Sequence, residues 1–159
     1  MCWKCDNPDV SLAEHLERLH QMIQRNGFIV QGVEDDRRPY AYTVGLHGYG
    51  LPEQLITGQE LPMAMRMLRA TAQITIDGCV FVPGERIGLG QDFVLETVEV
   101  DHPDIHMNFA VLLQGPDVRA LQLVWTDACA VWPWDAQWAQ GGRRPQPVLG
   151  LRAPLRPFT

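Results

Sequence analysis

The residues from Pro39 to Gly58 constrain the fold of this chain more than any other stretch. Bulky residues alternate with small ones along its first half, which is typical of a half-buried β-strand. The bulky residues are Tyr40, Tyr42, Val44 and Leu46. A loop rich in glycine follows, and Leu55 to Thr57 begins a second strand. The loop carries His47, Tyr49 and Glu53, so the sequence predicts titratable side chains at the rim of a hairpin.

The composition predicts one folded, soluble domain. The chain has 159 residues, of which 46% are hydrophobic and 20% charged, and at this length one core fills while a second would be undersized. We expect a single globular α+β domain over residues 1–150 and an extended tail, rich in proline and arginine, over residues 151–159. A formal net charge of -6 argues against nucleic acid as a partner, because neutralising phosphates requires clustered Lys and Arg.

The sequence shows neither a targeting segment nor a membrane segment. No apolar run approaches the roughly 20 residues needed to cross a bilayer, and the opening residues, MCWKCDNPDV, lack the basic-then-apolar order of a signal peptide. We therefore expect a cytoplasmic protein without a membrane partner. In a reducing compartment the four cysteines are expected to be thiols or metal ligands rather than disulfides.

Two helices are predicted by their start signals, stop signals and apolar spacing. Ser11 followed by Glu14 forms a capping box, and Asn26-Gly27 is a stop signal. The apolar stripe between them consists of Leu12, Leu16, Leu19 and Ile23. A second helix is expected from Pro62 to Asp77-Gly78, with one face formed by Met63, Met67, Ala70 and Ile74.

Short apolar runs separated by turn residues predict the remaining strands. Phe28 to Val33 is expected to pair with the Tyr40 strand across the polar turn from Glu34 to Arg38. Four more strands are expected, at Cys79–Val82, Phe93–Val100, Met107–Leu113 and Val118–Trp125. The predicted fold class is therefore α+β, a mainly antiparallel β-sheet with about two helices packed on it.

Six segments spread along the chain carry a family resemblance: MCWKCD, AYTVGL, GLPEQLITG, VRALQLVWTD, WPWD and QPVLG. Together they resemble a bacterial, largely actinobacterial family known as domain of unknown function 4262, from Met1 to about Gly150. The resemblance implies no activity, cofactor or catalytic set. The chain departs from it at two positions: Leu51 stands before Pro52-Glu53 where members often carry His, and Ala130 stands where similar sequences tend to have Gly.

A C-x-x-C motif at Cys2 and Cys5 is the sharpest chemical signal. Two thiolates at this spacing can bind one zinc ion, with His15 and His20 of the first helix as further ligands. These histidines are five residues apart, about 140° on an ideal helix, so both reach one metal only if the helix distorts. The same cysteines could form a redox-active thiol pair or pack as small apolar groups, and all three interpretations stay open.

A second group of polar residues, His102, Asp104 and His106, surrounds Pro103 after a predicted strand. Two imidazoles around a carboxylate could bind a metal or form an acid and base pair, although a solvated turn is favoured. Pro103 is expected to prevent a regular helix through these residues. If His47 converged on them, the three histidines would form the open site that catalytic zinc requires.

Four tryptophans form the third group: Trp125, Trp132, Trp134 and Trp138. Stacked indoles could line a pocket for a sugar or a heterocycle, but such residues more often close a small core because each buries a large apolar area. We assign Trp125 to the core, while both interpretations stay open for Trp134.

The sequence contains none of the common motifs for nucleotide-binding, serine-hydrolase or zinc-protease chemistry. The favoured hypothesis is a binding or regulatory domain for a small molecule or a partner protein. Its pocket would be formed by Tyr42, His47, Tyr49, Glu53, His102, Asp104, His106 and Trp134. The alternatives are a zinc-dependent enzyme with Cys and His ligands and a thiol-based redox sensor acting through Cys2 and Cys5. The sequence leaves open whether the protein is an enzyme.

Overall fold

A computed structural model describes residues 6–34, 38–91, 93–141 and 145–155 of the chain. The described residues form four α-helices and six β-strands, with two short 3-10 helices at Leu46–Tyr49 and Ala136–Gly141. The helices are α1 Leu12–Asn26, α2 Leu61–Ile76, α3 Pro103–His106 and α4 Asn108–Gln114. The strands are β1 Ile29–Val33, β2 Tyr40–Val44, β3 Glu53–Thr57, β4 Arg86–Leu89, β5 Phe93–Glu99 and β6 Ala120–Trp125.

The six strands form one sheet in the order β1-β2-β3-β6-β5-β4. Every neighbouring pair is antiparallel except the central pair, β3 and β6, which run parallel. The register places Tyr42 opposite Leu55, and Leu55 opposite Gln122, so these three side chains lie on one face of the sheet. The predicted class, a mainly antiparallel α+β fold, is confirmed.

Helix α2 covers the opposite face, where Ala41, Ile56, Leu68, Leu95 and Leu123 form a buried cluster. Its predicted apolar face was only partly right. The buried residues are Ala64, Met67, Leu68, Thr71, Ala72 and Thr75, whereas the predicted Ala70 is exposed. Apolar residues occur all round this helix, so their spacing alone did not select the buried side; the small Ala and Thr side chains allow the helix to lie close to the sheet.

Helices α1 and α4 cover part of the other face, around a second cluster that includes Leu19, Tyr42 and Ala110. The predicted ends of α1 are confirmed. The side chain of Ser11 accepts a hydrogen bond from the backbone N–H of Glu14 at 3.1 Å, and Gly27, with φ of 87°, donates its N–H to the carbonyl oxygen of Ile23.

Two of the predicted strands were wrong. Cys79–Val82 is irregular, and the edge strand instead begins at Arg86. Met107–Leu113 is mostly the helix α4, which buries Met107 and Ala110 while Leu112 is exposed. That three-residue spacing is helical, but in a run of only seven residues the apolar pattern does not separate a helix from a strand.

The remaining half of this face is covered by residues 145–155, which we call the C-terminal strap. They have no regular secondary structure, yet side chains of the sheet bind their backbone. Thr57 and Gln122 each donate a hydrogen bond to the carbonyl oxygen of Pro147 at 2.7 Å, and the N–H of Leu149 donates to Gln122 Oε1 at 2.7 Å. The buried side chains of Thr57 and Gln122 are therefore satisfied by an extended segment that lies across the strands.

Candidate functional site

The loop between β2 and β3 contains the 3-10 helix Leu46–Tyr49, which carries His47 on the surface. Gly45 precedes this helix with φ of 126° and lies against Gly27 and Phe28. A Cβ atom at this position would come within 2.8 Å of the carbonyl oxygen of Gly27, so only glycine lets the loop turn here. The loop is therefore packed against the end of α1.

The side chain of Glu53 supports this loop from the protein interior. The sequence placed this residue in the loop, but it is the first residue of β3 and is fully buried. Its carboxylate accepts hydrogen bonds from Thr43 Oγ1 at 2.6 Å, from the N–H of Gly45 at 2.8 Å and from the N–H of His47 at 3.1 Å. The side-chain amide of Gln114, oriented to satisfy both of its neighbours, donates to the same carboxylate at 2.8 Å.

Burial dominates the electrostatics of Glu53. Desolvation raises the pKa of its carboxyl group, and the hydrogen bonds from Thr43 and from the backbone N–H groups of the loop act in the opposite direction. Among the residues that the structure describes, none forms an ion pair with this carboxylate. Its charge is instead balanced by N–H groups at the start of the 3-10 helix, which otherwise have no partner within the helix.

A concavity of about 190 Å³ lies beside this loop. Its lining residues are His47, Gly50, Leu51, Pro52, Asp117 and Arg119, and we call it the His47 concavity. His47, Asp117 and Arg119 are exposed, and the guanidinium of Arg119 also contacts Glu99 at 2.8 Å. The concavity therefore combines an imidazole, a guanidinium and a carboxylate around a turn of Gly and Pro residues.

The two tyrosines of the predicted pocket do not line this concavity. Tyr42 is buried in the core, its hydroxyl accepts a hydrogen bond from the N–H of Phe109 at 3.2 Å, and burial raises its pKa. Tyr49 is half exposed, and its hydroxyl lies against Gly27 at the end of α1. Tyr42 is thus a packing residue, and Tyr49 ties the loop to α1.

The residues His102, Asp104 and His106 lie in and before the short helix α3. The expectation that Pro103 prevents a helix was wrong, because Pro103 occupies the first helical position, where a missing N–H costs nothing. His102 precedes it with φ of 54° and is exposed, as is Asp104. None of the three lines the His47 concavity. In the described ranges, three or more His, Cys, Asp or Glu side chains never gather into a group that could hold a metal ion.

The two histidines of α1 face different surroundings. His15 is buried with its ring 5.1 Å from that of Phe109, and its pKa is lowered, first by burial and second by Arg18. His20 is exposed and lies 3.1 Å from the amide of Gln24. Because α1 is continuous, these two imidazoles do not converge. Cys2 and Cys5, the other predicted zinc ligands, lie outside the described residues.

The tryptophans separate into two pairs. Trp125 and Trp138 meet edge to face, with ring centres 5.2 Å apart, and Trp138 is buried. Trp132 and Trp134 stack with an interplanar angle of 9°. Neither pair lines the His47 concavity, so the histidine loop and the indoles do not share that concavity.

Two arginines cover the stacked indoles. The guanidinium of Arg152, in the C-terminal strap, lies 3.8 Å from the ring centre of Trp134, and that of Arg86 lies 4.8 Å from the ring centre of Trp132. Both also bind Glu96, whose side chain is fully buried: Arg86 at 3.2 Å, and Arg152 through two nitrogens at 2.8 and 3.0 Å. We call Glu96, Trp134, Trp132 and Arg86 the arginine pocket.

Sequence reasoning missed the residues that complete both sites. Asp117 and Arg119 carry no motif, and Arg86 and Arg152 are distant in sequence from each other and from Trp134. Glu96 could have been found from the sequence, since it is a charged residue inside the apolar strand Phe93–Glu99; the structure places it opposite the buried Val124. A charge at such a position requires a partner.

The geometry defines a small α+β domain with a preformed surface loop and a sheet face that the C-terminal strap partly covers. The model of the family described as Domain of unknown function (DUF4262) matches residues 22–139. Because this match spans well over half of the chain, the protein belongs to that family. No curated protein and no solved structure gives a significant match. The bacterial, largely actinobacterial origin implied by the resemblance stays a prediction. Within the described part of the chain, no helix has both the length and the apolar character needed to span a membrane.

Proposed function

We propose that the protein is a binding domain for a small anionic molecule, which it holds in the His47 concavity. The observation that carries this proposal is the support of the loop by Glu53. The loop backbone is anchored at His47 and Gly45 by a buried carboxylate, in the same place where His47 and Arg119 line one concavity. A loop held in this way has little conformational entropy left to lose on binding.

The hydrogen-bond donors of the site suit an anionic group. The guanidinium of Arg119 presents a planar fork of donors that suits carboxylate or phosphate, and the imidazole of His47 adds ring nitrogens that can form hydrogen bonds. Asp117 adds an acceptor. We infer a ligand with one anionic group and one hydrogen-bond donor.

The existing ion pair of Arg119 does not oppose this proposal. Arg119 and Glu99 meet at 2.8 Å, but their side chains are 65% and 47% exposed. Exposed pairs of this kind contribute about 0–1 kcal/mol. The guanidinium can therefore turn from Glu99 to a ligand at little cost.

The size of the concavity limits the ligand. Its volume is about 190 Å³, below the roughly 300–1,000 Å³ of sites that enclose drug-sized molecules. The expected occupant is a small metabolite, or the charged end of a larger one.

The proposal can be tested by mapping where a small anion binds. Isotope-labelled protein would be titrated with inorganic phosphate and, separately, with glycine, which carries a carboxylate and a donor. We expect saturable shifts of backbone amide signals at His47, Gly50, Leu51 and Arg119. With both probes, shifts that do not saturate, or that scatter over the surface, would contradict the proposal.

The other hypotheses from the sequence stay predictions. They are a protein partner, a cytoplasmic location, a zinc-dependent activity and a redox role for Cys2 and Cys5. The zinc and redox hypotheses both depend on cysteines outside the described residues.

A further inference from the structure

We propose that the arginine pocket and the sheet face beside it form a binding groove for an extended peptide with a Gly-x-Arg sequence, and that the C-terminal strap occupies this groove as an intramolecular ligand. The proposal goes beyond the small-anion site, because it involves none of the residues of the His47 concavity. It rests on how the strap is bound.

The pocket contacts a guanidinium in two ways. Glu96 is 0% exposed and receives Arg152 through two parallel hydrogen bonds at 2.8 and 3.0 Å, a geometry available to arginine but not to lysine. The central carbon of the guanidinium lies over Trp134, 3.8 Å from its ring centre, which adds a cation–π contact. Trp132, stacked on Trp134, fixes the orientation of that ring.

The pocket needs a cation besides Arg86. Arg86 contacts only Oε1 of Glu96, at 3.2 Å, whereas Arg152 contacts both oxygens. A buried carboxylate that loses its main partner is strongly destabilising. If Arg152 leaves, the pocket is therefore a site that attracts another guanidinium.

The groove beside the pocket binds the backbone of the peptide rather than its side chains. Gln122 binds the carbonyl oxygen of Pro147 and the N–H of Leu149, and the carbonyl oxygen of Leu149 accepts the N–H of Asp101 at 2.8 Å. Recognition of main-chain groups gives affinity without strong side-chain selection. An extended segment of different sequence can satisfy the same sheet groups.

One position of the segment is restricted to glycine. A Cβ atom on Gly150 would overlap the carbonyl oxygen of Glu99, so the residue two before the arginine must lack a side chain. Gly58, at the end of β3, is restricted in the same way, because a Cβ atom there would lie 2.9 Å from the carbonyl oxygen of Pro145 in the strap. Together these contacts give the Gly-x-Arg requirement.

The arginine of the strap and the residues of the pocket lie in different parts of the chain. The family match covers residues 22–139 and includes Arg86, Glu96, Trp132 and Trp134, whereas Arg152 lies beyond it. The side chain of Arg152 is 38% exposed, so a competing peptide can reach the pocket from solvent. The strap competes at the high effective concentration of a tethered ligand, so the groove is available only when the strap is displaced.

The test measures binding of a labelled peptide with the sequence of residues 145–155, PQPVLGLRAPL, by fluorescence anisotropy. Full-length R152A is the main receptor, because its own strap lacks the arginine that competes for Glu96. We expect it to bind this peptide at least about tenfold more tightly than the matched peptide carrying Arg152→Ala. Wild-type protein should bind the peptide more weakly than R152A does, and R152A/E96Q should no longer distinguish the two peptides.

The fold of each variant would be checked by near-ultraviolet circular dichroism, which reports on the packed tryptophans. If R152A does not fold, R152K replaces it, since lysine keeps a cation but cannot make the paired hydrogen bonds. A folded receptor that binds both peptides equally, or neither, would overturn the proposal and leave Arg152 as a structural anchor only.

Discussion

The carboxylate of Glu53 accepts the backbone N–H of His47 at 3.1 Å, from a position that is fully buried beneath the loop. The same carboxylate accepts the N–H of Gly45 at 2.8 Å, which the amide oxygen of Gln114 also accepts, and no ion pair stabilises this acid within the described residues. The conformation of the surface loop is therefore coupled to a buried titratable group. The coupling can therefore be tested by measuring the stability of the protein as a function of pH.

Glu53 should make stability fall as the pH rises from acid. Its pKa in the folded protein is raised above the ordinary value of 4.5, so the folded state binds this proton more tightly than the unfolded state does. The resulting stabilisation is present below pH 4.5 and is lost as the pH rises through the raised pKa. E53Q removes this titration.

The measurement is urea unfolding of both proteins across that pH range. The free energy of unfolding of wild type minus that of E53Q should decrease with increasing pH, and other titrations should cancel in the difference. A difference that is flat, or that increases with pH, would show that Glu53 is not held as described.

The contact between Gly150 and Glu99 predicts a strong effect of one methyl group. G150A places a Cβ atom against the backbone of β5, which cannot move aside as a side chain can. We expect unfolding free energy to fall by about 1–3 kcal/mol, the range for overpacking. The matched control is G88A, because a Cβ on Gly88 meets no atom within 4 Å and its φ is ordinary.

G88A should leave the unfolding free energy within about 0.5 kcal/mol of wild type, as for other surface substitutions. Chemical denaturation followed by tryptophan fluorescence measures both variants. Equal stabilities of G150A and G88A would mean that the strap is not fixed against β5.

The backbone conformation of Ala130 predicts that its substitution by glycine stabilises the protein. Its φ of 59° is a left-handed conformation, which alanine adopts at a cost of roughly 1–2 kcal/mol. A130G removes that strain but adds flexibility to the unfolded chain, so we expect a net gain of about 0.5–1 kcal/mol. The family resemblance expected glycine here, and the backbone gives the physical reason.

The control for A130G is A70G on the exposed side of α2. There the same change should destabilise by about 0.8–1.0 kcal/mol, because glycine is unfavourable inside a helix. Thermal unfolding would compare the two, and a loss of stability in A130G would contradict the assigned backbone conformation.

The sequence predicted those parts of the fold that depend on local signals. Ser11 and Glu14 start α1 and Gly27 ends it, since capping is decided within a few residues. The alternation of bulky and small residues along Tyr40 to Val44 predicted β2, although both faces of this strand are buried and not only one. Helix α4 was missed because Asn108 to Gln114 is too short for its period to be visible.

The sites were harder to predict because their residues meet only after folding. Arg152 and Glu96 are 56 residues apart, and no local sequence pattern predicts their contact. Glu53 was recognised as a candidate but placed at the rim, since nothing in the loop sequence shows that β3 begins at that residue. His47 was expected in the loop and lies there, whereas Arg119, which also lines the concavity, directly precedes β6, across the parallel strand pair.

The most direct test of the central claim is the dependence of anion affinity on Arg119. The dissociation constant for inorganic phosphate would be measured by calorimetry for wild type, R119Q and R69Q, where Arg69 is an exposed arginine on α2 with the same charge. We predict that R119Q weakens binding by about tenfold or more, and that R69Q leaves it unchanged. Equal affinities of R119Q and R69Q would contradict a small-anion site in the His47 concavity.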